Sequence, residues 1–145
     1  MLLPNHFASK GSDATGKRRR VQAAAVRTIY ESLSKRYPYA IGDLNDYPES
    51  AALAPLVRQT NLRDAMALKQ CRGAFPGTYQ RATAKERIDY LLFSTAVRKQ
   101  VQAVDACRKG FYAPRKWESF ENINEANKDR FQASDHHCLW AEVEV

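Results

Sequence analysis

The chain has no apolar run approaching the roughly 20 residues that a membrane-spanning helix needs, so a helical membrane protein is excluded. Its opening, MLLPNHFASKG, holds too short an apolar stretch for a secretory signal and no basic region ahead of it. There is no internal repeat and no low-complexity segment. Cysteine is scarce: Cys71, Cys107 and Cys138 are odd in number and widely spaced. That argues against a disulfide framework and against a zinc site built on close cysteine pairs. In His136-His137-Cys138 only the first and last would share a face of a strand, which leaves zinc short of ligands. Free, partly buried thiols are the expectation, and they lean mildly to a cytoplasmic compartment. Acidic residues are also in deficit, 16 against 23 Lys and Arg, for a net charge of +7 and a pI near 9.5. A basic balance favours anionic, phosphate-bearing partners, although a solvated basic surface explains the charge as well.

What is there is enough for one domain, 1–145, with its own core. The chain is 44% hydrophobic and 27% charged, with mean hydropathy −0.58, a soluble globular composition. A helix is expected over Lys17–Lys35, with Val21, Ala25, Ile29 and Leu33 as its apolar stripe. Asp13 or Thr15 would cap it. The Lys17–Arg20 run then lies at the unfavourable end of the helix dipole, as a solvated run or as charge set near a phosphate. Pro38 ends the segment. Strands are expected at Tyr39–Ile41, Ile88–Ser94, Val97–Val104 and the closing LWAEVEV, with another starting at Thr78-Tyr79. Short helices or turns are expected at Ser50–Val57 and Asn61–Ala67. Residues 105–133 read as a variable loop region. The class is α/β (α+β) with a sheet at its centre.

Four short clusters lie at the edges of these strands: Asn5-His6, Gly42-Asp43-Leu44-Asn45, Arg87-Ile88-Asp89-Tyr90 and Ser134-Asp135-His136. Strand ends and the loops beyond them are where α/β folds gather their sites. Singly, each cluster is explained by a turn or a cap. Together they offer two histidines, three carboxylates and two side-chain amides. That set suits hydrolysis of a phosphate ester. A hard cation held by oxygen ligands offsets the charge of the transition state. A His–Asp pair supplies a base whose tautomer the carboxylate fixes.

NHFASKG, YAIGDLNDYPESAAL, NLRDA, TYQRATAKERIDYLLFS and ASDHHCLWAEV, in this order and spacing, resemble the endonuclease/exonuclease/phosphatase superfamily, with its DNase-I-like fold. The resemblance runs from Asn5 to Val145, less the variable region. It implies a metal-dependent phosphoesterase acting on phosphodiester (nuclease-like) or phosphomonoester bonds, with Mg²⁺ or Mn²⁺ as cofactor. By the same resemblance His6 contacts the scissile phosphate and protonates the leaving group. Asp43 and Asn45 polarise the attacking water and contact phosphate or metal. Asp89 supports the active-site histidine or the metal region. Asp135 supports the divalent ion, and His136 orients the attacking or phosphate-bound oxygens. Asp46, Asp64 and His137 are lesser candidates, with Asp46 read as a turn or cap residue. Gly42 is read as the point where the chain leaves its strand sharply.

The family fold is a four-layer αββα sandwich of two similar halves, and the matching motifs belong to its C-terminal half. The first half's Asn and its metal-binding Glu have no counterpart among these motifs. The expectation is therefore a half-fold with a bare apolar sheet face: foremost a fragment of a longer enzyme, otherwise a half covered by a second copy or by a separate N-terminal half. The alternative is a non-catalytic half-domain that binds nucleic acid or a partner chain. In that reading Arg115-Lys116-Trp117 stacks bases or grips phosphates.

Overall fold

The computed structural model describes residues 2–33, 39–69, 71, 77–79, 86–107 and 134–144. Strands β1 (Leu2–His6), β2 (Tyr39–Asp43), β3 (Arg63–Asp64) and β4 (Asp89–Phe93) form one mixed sheet in the order β1-β2-β4-β3. β1 runs parallel to β2, and β2 and β3 run antiparallel to β4. Strands β5 (Val101–Cys107) and β6 (Cys138–Val143) make a second, antiparallel sheet. The register sets three rows across β1, β2 and β4: Leu2–Tyr39–Phe93, Pro4–Ile41–Leu91 and His6–Asp43–Asp89. Because side chains alternate along a strand, all three rows share one face. The first two rows are mostly apolar and the third is polar, so the face ends in charged groups.

One face of the larger sheet packs on helices α1 (Lys17–Leu33) and α2 (Ala54–Val57). Ala23, Val26 and Tyr30 of α1, with Leu53 and Leu56, cover Ala40, Tyr90 and Leu92. The other face packs on the smaller sheet, where Phe93 joins Val97, Val101, Val104 and Ala106. Tyr39 and Phe93, register partners, meet edge to face at 5.6 Å between ring centres. Leu139, Ala141 and Val143 alternate inward along β6, the half-buried pattern expected of that strand. This is a mixed α/β architecture with helices flanking a central sheet, as the sequence indicated.

Several local expectations are corrected. The apolar stripe Val21, Ala25, Ile29 and Leu33 does not enter the core: Val21 is 70% exposed and Ile29 48%. The buried face is Arg19, Ala23, Val26 and Tyr30. Its small and amphipathic residues let the helix sit close to the sheet, and a count of large aliphatics points to the wrong side. Val97–Val104 is not one strand. Ser94 caps a short helix, α3 (Thr95–Arg98), by accepting from the Val97 amide, and β5 starts only at Val101. Asn61–Ala67 contains strand β3 and a 3₁₀ turn whose start Asp64 caps. Cys107 and Cys138 are exposed; only Cys71 is half-buried. Gly42 does not let the chain leave its strand. It lies inside β2 at φ +130°, where a Cβ would stand 1.9 Å from the Asn5 carbonyl oxygen, so it permits β1 to approach β2. The end of the first helix beyond Leu33, Pro38, residues 80–85 of the TYQRATAKERIDYLLFS motif and Arg115-Lys116-Trp117 lie outside the described residues, as does most of the 105–133 region.

The basic run at the start of α1 divides. Lys17, Arg18 and Arg20 are exposed, whereas Arg19 is 3% exposed and is held inside the protein. Its Nε donates to Asp46 Oδ2 at 2.9 Å, and its Nη1 lies 3.6 Å from Asp13. Asp13 also accepts the Arg19 backbone N–H at 2.9 Å, which caps the helix and holds its carboxyl below the usual carboxylate range. Asp46 also serves its own turn, accepting from the Tyr47 amide and the Ser50 hydroxyl. The charge thus joins α1 to the loop after β2 instead of meeting a phosphate. Removing one partner of a buried pair strands the other, at a cost of about 3–5 kcal/mol. Arg19→Ala should lower unfolding free energy by about that much in urea titration, while exposed Arg20→Ala stays within about 0.5 kcal/mol.

Candidate active site

The site is built where the polar row of the sheet meets the start of the second sheet. His6, Asp43 and Asp89 are register neighbours on β1, β2 and β4. His136 reaches them from the segment leading into β6, which is tied down by a bridge between His136 and Tyr79. The His136 amide donates to Ser134 Oγ at 2.9 Å, and the Tyr79 ring lies against the imidazole at 4.8 Å.

His136 Nδ1 stands 2.9 Å and 3.1 Å from the two carboxylate oxygens of Asp89. With Nδ1–H donating to the carboxylate, Nε2 is the atom left to exchange a proton. The hydrogen bond that His136 donates to Asp89 raises the His136 pKa above its ordinary value, partly opposed by burial and assisted by the charges of Asp89, Asp43 and Asp135. Burial lifts the Asp43 carboxyl above the usual range, and the nearby charge of Asp89 adds to this. Donation from the Asn45 amide opposes the lift. His6 Nε2 lies 3.6 Å from Asp43 Oδ2, with its side chain 78% exposed.

Asn45 takes a left-handed conformation, φ 53°, in the turn after β2. Its backbone N–H donates to Asp43 Oδ1 at 2.7 Å. Its side-chain amide donates to Asp43 Oδ2 and to the Phe7 carbonyl, both at 3.0 Å. Asn45 therefore aims Asp43 and fastens the turn to the segment that follows His6. An Asn tolerates this backbone region better than most residues.

Of the residues singled out in the sequence, His6, Asp43, Asn45, Asp89 and His136 come together. Asp135 lies at the rim of this group: its side chain is about half exposed and its carboxylate is 3.9 Å from His136 Nε2. Among the described residues, the ligand atoms that lie mutually within 4.8 Å belong to Asp43, Asp89 and His136. Asp64 pairs with Arg87 and caps its 3₁₀ turn, and His137 is buried with its amide donating to the Thr78 carbonyl at 2.7 Å. Two partly buried carboxylates close together are repulsive unless a proton or a cation stands between them. Carboxylate oxygens are also the donors that a hard divalent cation prefers. The residues present thus fit a divalent ion.

The sequence reading missed Thr78. It is fully buried, and its hydroxyl accepts the amides of Ile88 at 3.1 Å and Asp89 at 2.9 Å. Its carbonyl accepts from the His137 amide, so one residue braces Asp89 directly and the backbone immediately after His136. The signal was present only as a threonine after a Pro-Gly turn. Tyr90 is likewise structural: its buried hydroxyl donates to the Asp46 carbonyl at 2.7 Å, and burial raises its pKa so that it stays protonated.

No protein-family model matches the chain, and no curated protein sequence matches it. Solved structures do. An endonuclease/exonuclease/phosphatase family protein from Bacteroides thetaiotaomicron superposes over 95% of this chain and 47% of its own, at TM-score 0.65 and 18% identity. A mannosyl-6-phosphatase from the same species covers 99% of this chain and 51% of its own, at TM-score 0.68 and 17% identity. A 3′ phosphatase from Neisseria, bound to a product DNA hairpin, covers 85% and 52%, at TM-score 0.54 and 19% identity. The chain therefore has the DNase-I-like fold of this family, and it spans about half the length of the structures it matches.

Two outcomes follow from the geometry. In a metal-free NMR titration, His136 should titrate above the ordinary histidine value of about 6.5, and Asp89→Asn should lower its midpoint. Thr78→Val should cost about 1–3 kcal/mol of stability by leaving two buried amides without an acceptor. Thr78→Ser should recover most of it.

Proposed function

We propose that this chain carries the catalytic residues of a divalent-cation-dependent phosphoesterase, cleaving phosphodiester or phosphomonoester bonds. The observation that carries this reading is the polar row His6–Asp43–Asp89 with His136 bonded to Asp89 at 2.9 Å. The carboxylates of Asp43 and Asp89 would hold Mg²⁺ or Mn²⁺, with Asn45, Asp135 and His136 beside them. When bound, that ion supplies positive charge against the phosphoryl oxygens.

Each side chain then has a task. Asp89 keeps the proton of His136 on Nδ1, so Nε2 is free to take a proton from water. Asp43, aimed by two hydrogen bonds from Asn45, shares the negative charge that the cation meets. His6, exposed and beside Asp43, donates a proton to the departing oxygen. Asp135, near His136 Nε2, orients water at the rim. Because the His136 pKa is raised, its neutral, proton-accepting form grows as pH rises, so activity should climb through a midpoint above about 6.5. Two of the superposed structures are named phosphatases, which favours a phosphomonoester substrate. A nucleic-acid substrate is favoured by net charge +7 and by the groove along α1 that Lys17, Arg20 and Arg27 line.

The working enzyme includes a second half packed against this one in this reading. An open groove of about 220 Å³ between the two sheets is lined by Leu2, Tyr39, Leu91, Phe93, Leu139 and Trp140. A second copy or a complementary half-fold would cover it.

The test is hydrolysis of p-nitrophenyl phosphate and bis-p-nitrophenyl phosphate with Mg²⁺ or Mn²⁺, in parallel with light scattering. The expected result is metal-dependent turnover that falls at least ~100-fold in Asp43→Asn and His136→Ala. Turnover that survives chelator, or that both substitutions leave intact, would overturn the assignment. Binding that weakens steeply with salt would place nucleic acid ahead of small phosphoesters.

A further inference from the structure

Cys107 and Cys138 are far apart in sequence and directly opposed in the fold. Cys107 ends β5, Cys138 begins β6, and the antiparallel ladder pairs them. Both are exposed. Their ladder neighbours Ala106 and Leu139 face the layer between the sheets, so alternation puts the two cysteines together on the opposite face. Directly opposed residues on antiparallel strands have Cα atoms about 4.5 or 5.5 Å apart. A disulfide spans Cα separations of about 4.4–6.8 Å. The Cys138 thiol donates to the Leu139 carbonyl at 3.7 Å, a weak contact that a side-chain rotation releases. Cys71 is no rival: it is half-buried, with its sulfur 3.9 Å from that of Met66 in the core.

We propose that Cys107 and Cys138 form a redox site, a cross-strand dithiol that closes to a disulfide against a low-molecular-weight disulfide such as oxidised glutathione. One protein thiolate attacks a glutathione sulfur, forming a mixed disulfide and releasing one glutathione thiol. The second protein thiolate then displaces the other glutathione. Two protein thiols lose two electrons, the glutathione disulfide gains them, and the two protons leave on the two glutathione thiols. The bridge pins the start of β6 to the end of β5, two residues beyond His136. It also closes a covalent ring through the chain between the two cysteines, which restricts the unfolded state. Only its bearing on His136 rests on the proposed function; the bridge itself does not.

The experiment equilibrates the full chain with oxidised glutathione or with dithiothreitol, then reads intact mass, free thiols, a non-reducing peptide map and thermal melting. The oxidised chain should be about 2 Da lighter than the reduced one, keep one titratable thiol and yield a Cys107–Cys138 linked peptide. Its Tm should rise by ~5 °C or more. Cys107→Ser and Cys138→Ser should abolish that rise, and Cys71→Ser should preserve it. Three thiols left under strongly oxidising glutathione would overturn the proposal. So would stable glutathione adducts without a bridge, or a disulfide to Cys71 or to a second chain. None of these readouts needs catalysis, so they fail or succeed separately from the phosphoesterase assignment.

Discussion

The site depends on the register between β1, β2 and β4. Three residues distant in sequence, His6, Asp43 and Asp89, are neighbours only because each stands in the same row of the sheet. A slip of one residue in any of these strands would turn its polar member to the helix-covered face, because the side-chain period is two. The apolar rows beneath hold the register in place: Tyr39 against Phe93 and Ile41 against Leu91 gain from burial only in this alignment. Gly42 is the third constraint, since any side chain there would collide with the Asn5 carbonyl and part β1 from β2.

Around that row the protein uses buried polar groups as braces. Arg19 joins α1 to the loop holding Asp46, one residue past Asn45, and also approaches the Ala8 carbonyl at 3.4 Å. Asn45 joins the same loop to Phe7, one residue past His6. Thr78 holds the backbone of Asp89 on one side and of His137 on the other. Each brace ends beside a site residue. The carboxylates can then sit partly buried and close together, with burial lifting that of Asp43 above the usual range.

Much of this was legible in the sequence, for reasons specific to each part. IDYLLFS declared a strand because its composition is apolar and bounded by charge, and β4 is there. The site residues were legible as short motifs at strand ends, because a strand end is where a polar side chain can leave the core without leaving the sheet. The buried face of α1 was not legible. Val21 and Ile29 face outward, and it buries Arg19 and Tyr30, whose polar ends find Asp46 and Asn61. Periodicity counts apolar residues and cannot see a partner that lies elsewhere in the chain. Thr78 was illegible for the same reason. So was the opposition of Cys107 and Cys138, which exists only in the β5–β6 ladder.

The most direct test of the central claim is where a divalent cation binds. Paramagnetic Mn²⁺ added to the isotope-labelled chain broadens NMR resonances near it. The account predicts early, selective broadening of the signals of His6, residues 42–45, residues 88–90 and His136, with those of exposed Val21 and Ile29 on α1 left sharp. Broadening centred elsewhere, or none at Mn²⁺ in large excess, would contradict the claim that this row of residues is a cation-holding phosphoesterase site.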